Sequence, residues 1–207
     1  MRGPDARLAH GHERAAGAER GQLAGGEGVG ACLSGGGPAD VRDIVVECTA
    51  QLLAETGKEP DESAARDRAL AELESGRPLV RWNQMLEAQG ADVARMAEWL
   101  CADSLAPCVG EVRARRPGWV ARCDARRVGE AVRELGGGRI VPGASVDPRV
   151  GVDRMAKPGE HLDQGDLVCR VHAADHAGLR RGMERMEEAV EWAEAPPVVV
   201  RLIQWME

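Results

Sequence analysis

The chain contains no phenylalanine and no tyrosine, and its aromatic residues are five tryptophans. Aliphatic side chains must therefore supply most of the core. Lysine is almost as scarce, since Lys58 and Lys157 are its two occurrences and arginine carries the remaining positive charge. The formal net charge is −7. This charge argues against a nucleic-acid partner, because such a partner requires a basic surface.

Long apolar runs are also missing. No stretch approaches the roughly 18 apolar residues that a membrane-spanning helix needs, and the N-terminus has no apolar core of a secretory signal. The six cysteines form no C-x-x-C pair. Without a secretory signal, free thiols are the default. The sequence therefore predicts a cytoplasmic protein with no membrane partner.

Glycine, in contrast, is abundant, above all in GQLAGGEGVGACLSGGG (Gly21–Gly37). Consecutive backbone N–H groups in such a segment can hold phosphate. However, Gly26, Gly28 and Gly30 match neither the dinucleotide fingerprint nor the P-loop, and no lysine follows them. Residues 1–32 show no helical or strand period. We therefore predict that they form a poorly ordered Gly/Ala/Arg-rich leader.

Residues 33–104 have the periodicity of a helical module. Four helices are predicted, with boundaries at proline, aspartate and glycine: from Pro38 to Gly57, from Asp61 or Ser63 to Gly76, from Pro78 to Gly90, and a shorter one after it. The residues expected to face inward are Val41, Ile44, Val45, Cys48, Leu52, Ala65, Leu70, Leu73, Leu79, Trp82, Met85, Leu86, Val93, Met96, Trp99 and Leu100.

Residues 105–207 are predicted to form a compact α+β domain. Short strands alternate with turns, and two helices carry the apolar period. The first helix is expected to face inward with Val128, Ala131, Val132 and Leu135, and the second with Met183, Met186 and Val190. The expected elements are two strands around a Pro117–Gly118 turn, a helix capped by Asp124, turns at Pro158–Gly159 and Gly165–Asp166, a helix near Asp175–Ala193, and a strand over Val198–Trp205.

Three side chains have the spacing of a metal site. Cys169, His172 and His176 form C-x2-H-x3-H, which would supply three ligands to zinc. No fourth ligand has convincing spacing, and the strand period by itself explains Cys169 as a core residue. We therefore assign no metal.

Two further segments have the composition of known motifs. KPGEHLDQGDL is similar to lipoyl- and biotin-carrier hairpins, but Lys157 precedes the turn instead of occupying its tip. The basic cluster RARR (Arg113–Arg116) is typical of a solvated loop, and we assign it no role. No serine–histidine–aspartate grouping or paired carboxylates stand out, so no catalytic or substrate-binding residue is predicted in this chain.

Four blocks resemble thymidine and pyrimidine-nucleoside phosphorylases, in the family's order. They are GGGPADVRDIVVECTAQLLAETG, RWNQMLEAQGAD, DARRVGEAVRELGGGR and VDPRVGVDRMAKPGEHLDQGDLVCRVHA. The resemblance covers about residues 33–193. It implies that residues 33–104 are the helical part of the α/β catalytic domain, and that residues 105–207 are a C-terminal α/β-hammerhead with a barrel-sandwich core.

The resemblance also implies a reaction. Family members convert a pyrimidine nucleoside and phosphate into the free base and a pentose 1-phosphate, with phosphate as co-substrate and no other cofactor. The phosphate-binding and base-binding residues lie in the family's N-terminal half, as does its dimerising domain, and we can map none of them onto this chain. The chain is therefore expected to be inactive alone. The alternative is a non-catalytic hammerhead module that binds a partner or completes a separate catalytic half.

The leader has a second interpretation at the level of codons. Codons that encode Ala9–Glu13 can also encode Leu-Thr-Asp-Met when they are read one base out of register. In the same shifted frame, codons for Ala24–Glu27 can encode Leu-Glu-Val. These residues resemble the family segment that precedes GGGP. We therefore expect residues 1–31 to be an out-of-frame translation, joined near Cys32 to the true frame. The helical module would then lack a covering segment, so we predict exposed apolar surface and self-association there.

Overall fold

The chain divides into two compact units, of which one is helical and the other has mixed α+β structure. The computed structural model describes residues 7–10, 20–101, 105–198 and 203–206, with side chains described over 28–99 and 105–198. One unit is Gly25–Asp103, and the other joins Ser104–Glu207 to Met1–Ala24. Within these described ranges, no helix is both long enough and apolar enough to cross a membrane.

The helices lie where the boundary residues predict them. Pro38 is the N-cap of the second helix, and the Asp61 side chain accepts a hydrogen bond from the Ala64 N–H at the start of the third. Gly57 and Gly90, with φ of 66° and 82°, follow helix ends, where glycine adopts the left-handed conformation without a steric penalty. The helices are α1 (Gln22–Leu33), α2 (Ala39–Glu55), α3 (Glu62–Glu74), α4 (Arg77–Ala88) and α5 (Val93–Cys101).

The expectation of a leader without regular structure is wrong for its described parts. Residues 22–33 form α1, and residues 7–10 and 20–21 form short strands. The physical reason is tertiary contact: Cys32, in the last turn of α1, is 2% exposed and packs with Val46 and Ala65. The leader's remaining residues, 1–6 and 11–19, lie outside the described part of the chain.

The core of the helical unit lies between α2 and α3. Val46, Ala50, Ala65, Ala69 and Leu73 are buried together with Cys32. The inward face predicted for α2 was therefore partly wrong, because Leu52 is 66% exposed while Val46 and Ala50 are buried. Leu70 on α3 is likewise exposed. The buried side chains here are mostly small, so the two helices approach closely along a face that counting large apolar residues did not identify.

The last two helices of this unit have a more exposed apolar face. No residue of α4 is buried, and the side chains of Val80, Met85 and Trp99 are exposed. The predicted inward positions Met85 and Trp99 are therefore wrong, whereas the predicted exposure of apolar surface is confirmed.

Self-association of the chain through this surface stays a prediction. We expect the double variant Val80→Glu, Met85→Glu to sediment with a smaller weight-average mass than the parent chain at high concentration, because the charges oppose apolar contact. Both side chains are already exposed, so the fold should be retained. An unchanged mass distribution would locate any association elsewhere.

In the described residues of the second unit, short strands form three antiparallel sheets, of two, four and three strands, and two α-helices pack with them; a π-helical turn over Arg133–Gly137 follows the first of these helices. The elements are β1 (Arg7–His10), β2 (Arg20–Gly21), β3 (Cys108–Arg113), β4 (Gly118–Cys123), α6 (Ala125–Val132), β5 (Gly151–Asp153), β6 (His161–Leu162), β7 (Leu167–Ala173), α7 (His176–Ala189), β8 (Val190–Ala193) and β9 (Ile203–Met206). With the elements numbered in chain order, the sheets have the strand orders β1-β9, β2-β5-β7-β3 and β6-β4-β8.

The predicted strands around Pro117–Gly118 exist, but they are not partners. Strand β3 pairs with β7, whereas β4 pairs with β6 and β8. The chain between them therefore crosses from one sheet to the other. Ala114 fixes this crossing, since its N–H donates to the Asp166 carbonyl at 2.9 Å and its carbonyl accepts from the Gly165 N–H at 2.9 Å.

The helix predicted near Asp175–Ala193 ends earlier than expected. The Asp175 side chain caps α7 through the Gly178 N–H, as predicted, but α7 stops at Ala189. Val190–Ala193 form strand β8, which pairs with β4. Val190 is buried as expected, although it belongs to a strand, because β4 offers an open edge that competes with continuation of the helix. Of the strand predicted over Val198–Trp205, residues 203–205 lie in β9 and Val198 is not in a strand, while 199–202 lie outside the described residues.

The core of this unit lies between the sheets and its two helices. The predicted inward residues Val128, Ala131 and Met186 are buried, and Val132, Leu135 and Met183 pack against them. Two glycines set the distance between α7 and the sheet. A Cβ on Gly110 would lie 2.9 Å from the Met183 sulfur, and one on Gly182 would lie 2.9 Å from Cγ1 of Val171.

Replacement of glycine by alanine should have opposite effects at Gly129 and Gly182, because only Gly182 lies against the sheet. Gly129, exposed on α6, has nothing within 4 Å of a built Cβ, so Gly129→Ala should raise the free energy of unfolding by about 0.5–1 kcal/mol. We expect Gly182→Ala to be about 1–3 kcal/mol less stable than Gly129→Ala, because its methyl group overpacks against Val171. Urea unfolding compares the two, and equal stabilities would show that α7 can move away from the sheet without cost.

Candidate functional site

The four-stranded sheet has one apolar and one charged face. Side chains alternate along a strand, so Cys169 and Val171 share one face of β7 while Arg170 and His172 share the other. The register places Arg170 opposite Asp153 on β5 and opposite Glu111 on β3. A row of charged residues therefore crosses the sheet on the face opposite α7.

Asp153, Arg170 and His172 form a buried polar cluster. The Arg170 guanidinium donates through Nε to Asp153 Oδ1 at 2.8 Å and through Nη2 to Oδ2, which is a bidentate ion pair. His172 Nε2 lies 3.2 Å from Asp153 Oδ1. The side chains of Arg170 and Asp153 are 9% and 14% exposed. The carboxylate is therefore held by two cationic or donor groups with little access to water.

The electrostatics of this cluster favour the ionised carboxylate. Burial by itself would raise the pKa of Asp153, but the hydrogen bonds from Arg170 and His172 outweigh it and hold the pKa far below its ordinary value. The Asp153 carboxylate therefore stays charged across the physiological range. Such a group acts as a structural anion and not as a general acid or base near neutral pH.

This pKa shift makes the stability of the unit depend on pH. Because the pKa of Asp153 is depressed in the folded state, the unfolded state takes up its proton first as the pH falls. We expect the free energy of unfolding to decrease below about pH 4, the ordinary aspartate value, and to decrease less steeply in Asp153→Asn. Asp124, Asp147 and Asp175 also have lowered pKa values, so the difference between the two proteins isolates the share of Asp153. Parallel pH profiles of the urea midpoints would contradict this assignment.

The candidate zinc ligands are not brought together. Cys169 is fully buried in the core, where burial raises the pKa of its thiol to about 12, whereas His172 lies on the opposite face of the strand and His176 is exposed at the start of α7. In the part of the chain that the structure describes, no three His, Cys, Asp or Glu side chains are grouped as metal ligands would be. The interpretation of Cys169 as a core residue is confirmed.

The other two motifs also have defined positions. Lys157 opens the turn that ends at Glu160, and Pro158 and Gly159 occupy its centre, so the lysine is not at the tip. The glycine-rich segment contributes Gly26, Gly28 and Gly30 to α1 and not to a loop.

The basic cluster Arg113–Arg116, predicted to be a solvated loop, lies beside a cavity. Arg113, Arg115 and Arg116 line a cavity of about 410 Å³ together with Glu187 and Trp192, which come from α7 and β8. The sequence shows the arginines but not the later elements that face them. The Asp153–Arg170–His172 cluster was missed for a similar reason, because its register depends on strand pairing.

The α+β unit matches a known family of domains. Residues 119–193 match the family model described as the pyrimidine nucleoside phosphorylase C-terminal domain. This chain carries a pyrimidine nucleoside phosphorylase C-terminal domain. The matched range runs from β4 to β8, so it contains both α6 and α7 and the buried cluster of Asp153, Arg170 and His172.

Curated relatives extend the similarity beyond this C-terminal domain. The chain is 30% identical over 154 residues to the thymidine phosphorylase of Colwellia psychrerythraea, a match that covers 74% of this chain and 35% of the relative. It is 30% identical over 169 residues to the thymidine phosphorylase of Agrobacterium fabrum, and this match covers 79% of this chain and 38% of the relative. It is 35% identical over 137 residues to the thymidine phosphorylase of Rhizobium meliloti, and this match covers 65% of this chain and 30% of the relative. The chain thus spans about a third of the length of the curated relatives it matches.

Proposed function

We propose that this chain is the C-terminal part of a pyrimidine nucleoside phosphorylase and that it supports phosphorolysis only within a complete enzyme. The match of residues 119–193 to the family's C-terminal domain carries the proposal. The complete enzyme would convert a pyrimidine nucleoside and phosphate into the free base and a pentose 1-phosphate. It would need no cofactor and would work in the cytoplasm as a homodimer that associates through its N-terminal domain.

The finer fold assignment belongs to the same proposal. The crossing at Ala114, which takes the chain from the four-stranded to the three-stranded sheet, supports a barrel-sandwich core of the α/β-hammerhead kind. In such a core the ion pair of Asp153 and Arg170 and the packing of α7 stabilise the domain. Their role would be to hold the domain's shape, and the catalytic and substrate-binding residues would lie in the N-terminal half.

A domain exchange tests this proposal. The segment of the Colwellia thymidine phosphorylase that matches this chain's residues 105–198 is replaced by those residues, and release of thymine from thymidine and phosphate is followed by chromatography. We expect the hybrid to retain phosphorolysis and the present chain alone to release no thymine or uracil. The same exchange with the Agrobacterium segment controls for the junctions.

Two outcomes would contradict the proposal. If the Agrobacterium hybrid is active while a folded hybrid with residues 105–198 is not, this domain does not substitute for the family's C-terminal domain. It would then be a non-catalytic module that binds a partner. If the isolated chain releases thymine, the catalytic residues lie within it.

A subsidiary proposal concerns the start of the chain. The family-like residues permitted by a one-base shift over Ala9–Glu27 support translation from the wrong frame up to about Cys32. Under this proposal the glycines of α1 have no function of their own. Restoring the frame should replace them with the family segment that precedes GGGP.

A further inference from the structure

The arginine cluster and the elements facing it form a cavity that the proposed phosphorolysis does not use. The cavity of about 410 Å³ is within the usual size range of small-molecule sites. Val112, Val168 and Val190 form its floor, and each is less than 8% exposed. Trp192 adds an aromatic side chain, while Arg113, Arg115, Arg116 and Glu187 supply the polar lining. An apolar floor beneath a charged rim suits a ligand with two chemically different ends.

The rim is held in place by its own backbone and ion pairs. Ala114 is 4% exposed and bonded on both sides to the Gly165–Asp166 turn, so its arginine neighbours project outward from a fixed backbone. Arg113 donates through Nη1 to the Gly165 carbonyl at 2.7 Å and through Nη2 to Glu111. Arg115 pairs with Glu187 on α7. The guanidinium groups of Arg113 and Arg115 are therefore largely positioned before any ligand arrives.

The charges at the rim do not cancel. Three guanidinium groups and the Glu187 carboxylate line the cavity, and Glu111, outside the lining, pairs with Arg113, so these five charges leave a net charge of +1. Among the residues that the structure describes, Arg116 has no carboxylate within ion-pair distance. A single negative charge on a ligand would complete the balance, and a guanidinium group binds a planar carboxylate in a bidentate manner.

We propose that this cavity binds a small organic monoanion: a carboxylate whose body is aromatic or branched aliphatic. The carboxylate pairs with Arg116 and with the free N–H groups of Arg115, and the apolar body lies over Val112, Val168 and Val190 beside Trp192. Inorganic phosphate makes only the first set of contacts, and a neutral analogue makes only the second. The two halves of the proposal can therefore be tested separately.

The test uses the full chain and 3-phenylpropionate as the probe, with binding followed by NMR at the indole N–H of Trp192. We expect saturable binding with a dissociation constant of about 1 mM or tighter. The indole signals of Trp82 and Trp99 report on the exposed helices and should not move. We expect 3-phenylpropanol and inorganic phosphate each to bind at least about tenfold more weakly, because each lacks one set of contacts.

Two charge variants act in opposite directions. Arg116→Gln should weaken binding of 3-phenylpropionate roughly three- to tenfold, since it removes a charge-assisted hydrogen bond at an exposed site. Glu187→Gln should strengthen it severalfold, because it releases Arg115 and raises the net charge of the rim. Arg126→Gln, on the exposed surface of α6, is the matched control and should leave binding unchanged.

Each contrary result overturns a stated part of the proposal. Equal binding of 3-phenylpropanol would remove the role of the charge, and tighter binding of inorganic phosphate would remove the role of the apolar floor. Weaker binding in Glu187→Gln would show that the carboxylate helps to hold the probe. No saturable shift at Trp192, or equal shifts at Trp82 and Trp99, would remove the site altogether. None of these results depends on phosphorolysis.

Discussion

Asp153→Ala should lower the free energy of unfolding of the α+β unit by about 3–5 kcal/mol. The substitution removes the carboxylate that holds the buried Arg170 guanidinium in a bidentate ion pair, and the loss of that buried ion pair dominates the effect. The unit as a whole is expected to have about 5–15 kcal/mol of stability, so the loss is a large share of it. Urea unfolding, read by hydrogen exchange on peptides from β5 and β7, measures this unit separately from the helical one.

The control for this prediction is Asp163→Ala. The Asp163 side chain is 79% exposed, and its ion-pair contact with His161 is 3.9 Å long. We expect a change within about 0.5 kcal/mol at this position. If Asp153→Ala were no more destabilising than Asp163→Ala, the buried cluster would contribute nothing to the stability of the domain, and its position in the sheet would need another explanation.

Met186→Ala should cost about 2–5 kcal/mol, the second large effect that the structure predicts. Met186 is 0% exposed and is among the largest fully buried side chains of the described residues. It lies on α7 in the core that also contains Val120, Val128 and Val171. Truncation removes apolar contacts and leaves a cavity between the helix and the sheets. The neighbouring side chains are closely packed, so they can move into this cavity only in part.

Met186→Leu separates volume from chemistry at the same position. Leucine conserves most of the volume, so we expect it to cost less than about 1.5 kcal/mol. Both variants are compared by urea unfolding on the same peptides as Asp153→Ala. Equal costs for alanine and leucine would indicate that the shape of the methionine side chain matters more than the volume it fills.

Local signals in the sequence predicted most of the element boundaries. Asp61, Asp124 and Asp175 each cap a helix as their positions predict, because capping depends on residues within one turn. The end of α7 was not predictable in this way. The apolar period continues to Val190, and the change to strand β8 occurs because the edge of β4, which lies far away in sequence, offers hydrogen-bond partners. Glycine-rich α1 was missed for the same reason, since Cys32 is buried by α2 and α3.

The polar sites were predicted less well than the elements. The sequence placed Cys169 in the core from strand alternation alone, and the structure agrees. The spacing of His172 indicated only a candidate metal ligand. Its actual neighbour, Asp153, could not be predicted because the register between β5 and β7 brings the two residues together. Likewise, RARR indicated a solvated loop, whereas Glu187 and Trp192 turn one side of that loop into a cavity. Contacts between distant parts of a chain are not encoded in local pattern.

The genomic sequence from well upstream of Met1 through Val41 gives the most direct test of the proposal that this chain is the C-terminal part of a pyrimidine nucleoside phosphorylase. We expect that a frame shifted by one base runs through the leader and continues upstream into the family's phosphate-binding and base-binding segments. The claim would be contradicted if no upstream frame encoded any part of that family.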